Sequence, residues 1–260
     1  MMKIKLESKL KNICTVNFNP LQKEIVDIEK WLIEEDSHTG LGFYCNWNVI
    51  EFSVKRGELV SISYDNDNIG FATWRLTSDK TVRIEICEIK PTYRGQGFGR
   101  ILINKLLDFL KNRGVFAVDL QCAPKNSEHF WKHIGFNEFP DPPENYEFTS
   151  GSNKYLYLIL ADYLPVSKEL CTNETIELWN NEPWIKRDNT LPTYIWNLKF
   201  VENTRVLYKP IIHPAYYEWR LRWLLNGKTI SDGKIKRFKQ EIDYGMFIII
   251  EDLPSISANK

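Results

Sequence analysis

The sequence is short of several things, and each shortage removes a class of function. It has no surplus of charge of either sign: 34 lysines and arginines face 34 aspartates and glutamates over 260 residues, a formal net charge of zero. A chain held to nucleic acid or to an anionic membrane by bulk charge needs a basic surplus, so neither partner is expected. Cysteine is scarce: Cys14, Cys45, Cys87, Cys122 and Cys171 are five, an odd number, with no Cys-x-x-Cys spacing among them. Neither a disulfide framework nor a metal site is indicated. No apolar run approaches the roughly 20 residues that span a bilayer. The opening MMKIKLESKLKN mixes charged with apolar residues, where a secretory leader has a continuous apolar stretch. No internal repeat or low-complexity tract is present. The expectation is a soluble, cytoplasmic chain of one large or two modest domains, either able to bury a core.

What is there falls into two textures. The first is mixed α/β. Leu21 to Glu35 carries Leu21, Ile25, Ile28, Trp31 and Leu32 at helical spacing after Pro20. Leu59 to Tyr64 and Ile69 to Trp74 are β-rich runs around Asp65-Asn66-Asp67-Asn68, a hairpin signal. Thr81 to Lys90 reads as a third strand, closed by Pro91. A helix follows, with Ile103, Leu106, Phe109 and Leu110 on its apolar face and Gly114 as its stop. Val115 to Cys122 is strand-like, Asn126 to Ile134 helical, a short strand starts at Phe136, and Lys154 to Ala161 is a last apolar strand. Beyond Pro165 the helical periodicity fades. Tyr217 to Trp223 alternates strictly, Asn226-Gly227 is a two-residue hairpin signal, and five of the nine tryptophans lie here. The division expected is residues 1–164, an α/β (α+β) mixed sheet flanked by helices, and 165–260, a smaller all-β, sandwich-like module.

The densest signal is Tyr93 to Leu110, YRGQGFGRILINKLLDFL, where Gly95, Gly97 and Gly99 crowd the start of a strongly apolar helix. Glycine costs roughly 0.5–1 kcal/mol relative to alanine in regular structure, so the cluster needs a reason. A tight strand-to-helix turn is one. A backbone that must approach an anion at a helix N-terminus is another. A Walker A loop is excluded, since Gly99 is followed by Arg100-Ile101 and not by Lys-Ser/Thr. The Rossmann Gly-x-Gly-x-x-Gly spacing is absent as well. Arg94-Gly95-Gln96-Gly97-Phe98-Gly99 instead resembles the coenzyme A pyrophosphate loop of the GNAT N-acetyltransferase superfamily. The resemblance includes Glu88 to Tyr93 upstream, resumes at Asn126 and at Phe130 to Phe136, and covers about the first 160 residues.

That resemblance implies an acetyl-CoA-dependent N-acetyltransferase acting on a primary amine, in a small molecule or a protein, by direct attack in a ternary complex. It implies acetyl-CoA as cosubstrate and no metal. Backbone around Arg94, Gly95, Gln96, Gly97, Phe98, Gly99 and Arg100 would hold the pyrophosphate, with Cys87, Ile89, Asn126, Phe130 and Trp131 also on the coenzyme side. On the strand before the loop, Arg83 to Ile89 does not alternate cleanly, and one extra residue near Ile86–Cys87 would reconcile its halves. Such a bulge sets Glu85 and Glu88 on one side. A carboxylate on this strand is the usual proton acceptor in the family, so both are candidate bases; two solvent-side glutamates are the plain alternative. The family's tyrosine acid position is occupied by Trp131, whose indole has no useful proton. Tyr93, Tyr146 and His133 are substitutes between which the sequence does not choose. His129 and His133 sit four apart without an evident third ligand. For the acceptor, Glu34, Glu35 and Asp36 after the first helix, with Asp141, Glu144 and Glu147 in the late loop and Glu85 and Glu88, would make an acidic mouth edged by Tyr44, Trp47 and Tyr146; ordinary solvated loops are the plain alternative. The module from residue 165 resembles no family; its expected roles are acceptor recognition or self-association. A catalytically silent coenzyme A-binding, or peptide- or glycan-binding, protein on the same scaffold is the alternative.

Overall fold

The computed structural model describes residues 14–40, 42–140, 154–162, 169–184 and 190–255. By internal contacts the chain forms two compact units, Met1–Asn137 and Glu138–Lys260. No helix among the described residues is long and apolar enough to cross a membrane.

The first unit runs β1 (Cys14–Asn17), α1 (Gln22–Thr39), α2 (Trp47–Arg56), β2 (Leu59–Tyr64), β3 (Asp67–Ser78), β4 (Thr81–Ile89), α3 (Phe98–Asn112), β5 (Ala117–Cys122), α4 (Glu128–Ile134) and β6 (Asn137–Glu138). With β7 (Lys154–Ile159) the hydrogen-bonding order of its sheet is β1-β2-β3-β4-β5-β7-β6. β1 to β4 pair antiparallel and β4 pairs with β5 in parallel. Of the helical spacing read in α1, Ile25, Ile28, Trp31 and Leu32 are buried, against Ile50, Leu59, Phe71 and Ile86, whereas Leu21 is the exposed residue that precedes the helix. On α3, Phe98, Ile101, Leu102, Ile103, Leu106, Leu107 and Leu110 are buried. The β2–β3 hairpin turns on Asp65 and Asn66, at φ 50° and 63°. Two successive left-handed residues match the twist of the flanking strands, and aspartate and asparagine tolerate that conformation best after glycine.

Two features depart from the expectation. α1 continues to Thr39 and stops at Gly40 (φ 61°), so Glu34, Glu35 and Asp36 lie on its last turns and not in a loop after it. α2 was not expected; its turn-by-turn burial rests on Ile50 and Ser53, and Gly57 (φ 69°) ends it.

The second unit is all-β after β7: β8 (Glu169–Trp179), β9 (Tyr194–Val201), β10 (Val206–Pro214), β11 (Arg220–Leu225), β12 (Lys228–Lys234), β13 (Asp243–Tyr244) and β14 (Phe247–Asp252). The smaller all-β, sandwich-like module expected from the sequence is present, in the form of a single curled sheet. These strands make one seven-stranded sheet, β12-β11-β8-β9-β10-β14-β13, antiparallel throughout and curled. Curling lets a single sheet face itself across one core, which contains Ile176, Leu198, Phe200, Trp219, Leu221, Trp223 and Ile248. Asn226-Gly227 forms the β11–β12 turn that the dipeptide predicts, at φ 51° and 73°. Within this unit Phe139 and Tyr157 pack their rings on Phe247, at 5.7 and 6.1 Å between centroids.

Candidate active site

The site begins where β4 leaves β5. The parallel ladder joins Thr81–Ile84 to Ala117–Leu120, whereas β4 continues to Ile89 and β5 to Cys122. At the same point β4 carries a bulge. Trp74 pairs with Ile84 and Thr73 with Ile86, which leaves Glu85 as the extra residue. The bulge is thus one residue earlier than the Ile86–Cys87 position expected from the pattern. Its consequence is the expected one: Glu85 and Glu88 both reach the side of β4 occupied by α1 and α2.

The two glutamates nonetheless meet different surroundings. Glu85 is held by Arg75 Nε at 2.7 Å and lines an open groove of about 510 Å³ with Asn48, Val49, Phe52 and Arg56. Glu88 is buried, and its Oε1 accepts from Arg94 Nη2 at 2.7 Å. The same nitrogen donates to Oε1 of Glu35 on α1, also at 2.7 Å. Among the described residues, the second oxygen of each carboxylate is buried with no hydrogen-bond partner. Burial pushes the Glu88 carboxyl up to about 7, the nearby Glu35 carboxylate adds to the rise, and the Arg94 guanidinium and the Phe43 backbone N–H oppose it. Burial also pushes the Cys87 thiol up to about 12, helped by the Glu88 carboxylate. An acid group near 7 in a buried position is poised to exchange a proton at neutral pH.

Beyond β4 the chain turns through Arg94 to Gly97 into α3. Gly95 and Gly97 have φ of 76° and 96°, a region that L side chains avoid, and Gly97 is the N-cap residue of α3 with no side-chain cap. The first backbone N–H groups of the helix therefore have no intrahelical acceptor and no capping side chain. A Cβ on Gly95 would meet no atom within 4 Å, so the turn offers open space there. Gly99 differs. A Cβ on it would stand 3.3 Å from Phe130 Cε2 and 3.6 Å from Ile89 Cγ1, so its smallness lets α3 seat against α4 and β4. These features fit a pyrophosphate: an uncapped helix start with a left-handed turn before it is a ready anion cradle. Arg94 is more than a loop residue, because its Nε donates to the Ile89 carbonyl at 2.7 Å while Nη2 serves the two carboxylates.

The remaining sequence candidates divide. Gln96 donates to the Thr92 carbonyl at 3.0 Å, and Phe98 is buried against Tyr64 and Tyr93. Asn126 is exposed in the short turn before α4. Phe130 and Trp131 touch at 5.0 Å between ring centroids, and Trp131 is buried against Phe136 at 5.4 Å. Trp131 is a packing residue of α4 by these contacts. Tyr93 donates to Asp67 Oδ2 at 3.2 Å; desolvation and that carboxylate raise its phenol above the ordinary value, which makes it a poorer acid. His129 and His133 are exposed on α4, with rings 6.1 Å apart. Asp141, Glu144, Tyr146 and Glu147 lie outside the described residues. The acidic mouth is corrected on its other side: Glu35 is turned inward to Arg94, and Glu34 and Asp36 alone are exposed. The groove beside Glu85 is lined by Arg56 and Arg75, ion-paired with Glu58 and Glu85. Sequence reasoning missed the Glu35–Arg94–Glu88 cluster. Its only trace in the sequence was Glu35 continuing the buried stripe of Ile28, Trp31 and Leu32.

The acetyltransferase (GNAT) family model matches residues 22–136. A [ribosomal protein bS18]-alanine N-acetyltransferase of Haemophilus influenzae is 32% identical over 148 residues, 55% of this chain and 97% of that protein. Streptothricin acetyltransferase of Streptomyces lavendulae is 31% identical over 80 residues, 30% of this chain and 42% of that protein. Among solved structures, the ribosomal-protein-S18-alanine N-acetyltransferase from Escherichia coli aligns with a TM-score of 0.45 at 18% identity, covering 60% of this chain and 99% of that one.

Proposed function

The chain belongs to the acetyltransferase (GNAT) family, and from that premise we propose that it transfers the acetyl group of acetyl-CoA to a primary amine with Glu88 as the proton acceptor. The observation that carries this reading is Glu88 itself: a buried carboxyl near 7 at the end of the strand that parts from β5, beside the glycine turn. The turn from Arg94 to Arg100 would hold the coenzyme's pyrophosphate through backbone N–H groups and the α3 dipole, worth up to about 1–2 kcal/mol. Cys87, Ile89, Asn126, Phe130 and Trp131 complete the proposed coenzyme side. The amine nitrogen, once neutral, attacks the thioester carbon, the carbon–sulfur bond breaks, and the products are an amide and coenzyme A. The amine proton goes to Glu88. The leaving thiolate, with a pKa near 8.5, departs without a dedicated acid, so the tryptophan at position 131 is compatible with turnover. Glu85, engaged by Arg75, is the second candidate on the same face.

The strength of this base bears on the acceptor. Moving a proton from an α-amino group near 8 to a carboxylate near 7 costs about 1.4 kcal/mol, against roughly 4–5 kcal/mol from a lysine amine near 10.4. An α-amine at a peptide N-terminus is therefore the acceptor class favoured, and the similarity to the Haemophilus influenzae alanine N-acetyltransferase supports it. Thiol release from acetyl-CoA against a panel of peptides tests this. Turnover is expected with free α-amines and to fall at least about tenfold when the only amine is a lysine side chain. The alternative is a silent coenzyme A-binding scaffold, favoured by the packing role of Trp131. Thiol release above background with any amine of the panel excludes it.

A further inference from the structure

One guanidinium serves two buried carboxylates. Arg94 Nη2 lies 2.7 Å from Oε1 of Glu88 and 2.7 Å from Oε1 of Glu35, and each of these side chains is 7% exposed. The arginine is fixed from a third side by its Nε bond to the Ile89 carbonyl. Gly42, at φ 115°, closes the turn after α1 over Glu35, since a Cβ there would sit 3.4 Å from Glu35 Cγ. Neither phosphate binding nor proton acceptance by Glu88 requires a second buried carboxylate. Burial of a charge is costly without a partner, and two carboxylates with one cation leave one negative charge unmatched. Resting on the reading of Glu88 as the base, we propose that Glu35 is a positioning residue acting through Arg94: it anchors the guanidinium between α1 and the glycine turn and, as a second carboxylate on the same cation, keeps Glu88 a strong proton acceptor.

The groups that face Glu88 make the direction of the effect clear. α1 contributes Glu35, the turn after it the Phe43 backbone N–H, and the glycine turn Arg94. β3 places apolar Phe71 opposite in register, and β4 itself adds Cys87, whose thiol stays neutral because it is pushed up to about 12. Glu35 is thus the facing group whose charge raises the affinity of Glu88 for a proton. Without that charge the attraction of Arg94 is unopposed, Glu88 ionises more readily, and the acid limb of the rate profile moves to lower pH. Loss of the Arg94 charge moves it the other way.

The test is kcat/KM against pH for wild type, Glu35→Gln, Glu35→Asp and Arg94→Gln, with Glu88→Gln as reference and acetyl-CoA affinity measured for each. Glutamine keeps the size and the acceptor oxygen of Glu35 while removing its charge; aspartate keeps the charge. Glu35→Gln is expected to shift the acid limb down by about one pH unit, with Arg94→Gln shifting it up. Glu35→Asp is expected to leave the limb within about 0.3 units of wild type, with a lower plateau from looser placement. Equal limbs in wild type and Glu35→Gln, or equal displacements in the glutamine and aspartate variants, overturn the proposal while a Glu88→Gln enzyme without the limb leaves the base in place. If Glu88→Gln keeps the limb, the base reading fails and this inference with it.

Discussion

Glu88 combines a useful proton affinity with a cost to the fold, and both come from the same burial. Its carboxyl titrates near 7 in the folded protein and near 4.5 in its ordinary state, so the native chain binds this proton more tightly than the unfolded one. Linkage fixes the sign: the unfolded state sheds the proton first, and stability falls as pH rises from about 4.5 to 7. Glu88→Gln has no such proton to lose. It is expected to be more stable than wild type at pH 8, by on the order of a few kcal/mol, with a correspondingly higher melting temperature, and to converge with it below pH 4.5. Thermal melts across that range decide it; a variant no more stable than wild type at pH 8 would mean that the carboxylate is well solvated. Legibility at this scale was uneven. Glu85 and Glu88 stood out because a broken alternation is local information. The partner of Glu88, 53 positions earlier in the numbering at Glu35, was not legible as such, because only the return of α1 onto the sheet sets the two carboxylates on one arginine.

Elements carried their information in periodicity and punctuation. The apolar stripes of α1 and α3 and the Asp65-Asn66 and Asn226-Gly227 turns all follow from local spacing. α2 escaped because a ten-residue helix with two buried positions has too short a pattern to be read against its neighbours. The glycine turn had two competing explanations, and the structure divides them by position. Gly95 and Gly97 are demanded by left-handed backbone and Gly99 by Phe130, whatever ligand arrives. A ligand role for Gly97 therefore needs variants that share the strain. Gly97→Ala and Gly97→Glu both place an L residue at φ 96°, at roughly 1–2 kcal/mol, but only the second adds bulk and negative charge. Calorimetry is expected to show coenzyme A affinity reduced less than about tenfold by alanine and at least about a hundredfold by glutamate. Equal losses would assign the whole effect to backbone strain.

At the scale of the whole molecule, composition foretold two textures but not the way the second one closes. Alternating strands read alike whether they belong to two facing sheets or to one curled sheet, since both bury every other side chain. We propose that coenzyme binding belongs to residues 1–164, which include β7, the strand that follows β5 in the order of the first sheet. Truncation after Pro165 is then expected to keep coenzyme A affinity within about threefold while acceptor turnover or self-association is lost, as titration and a solution mass measurement would record. The claim on which everything else rests is that a buried Glu88 takes the amine proton. The most direct measurement is the pH dependence of kcat/KM for acetylation of an α-amine peptide by wild type and by Glu88→Gln. The account predicts a wild-type rate that rises through a limb near pH 7, and a variant slower by about 10²–10⁴-fold at neutral pH that recovers only as the amine itself becomes neutral. Superimposable profiles for the two enzymes would contradict it.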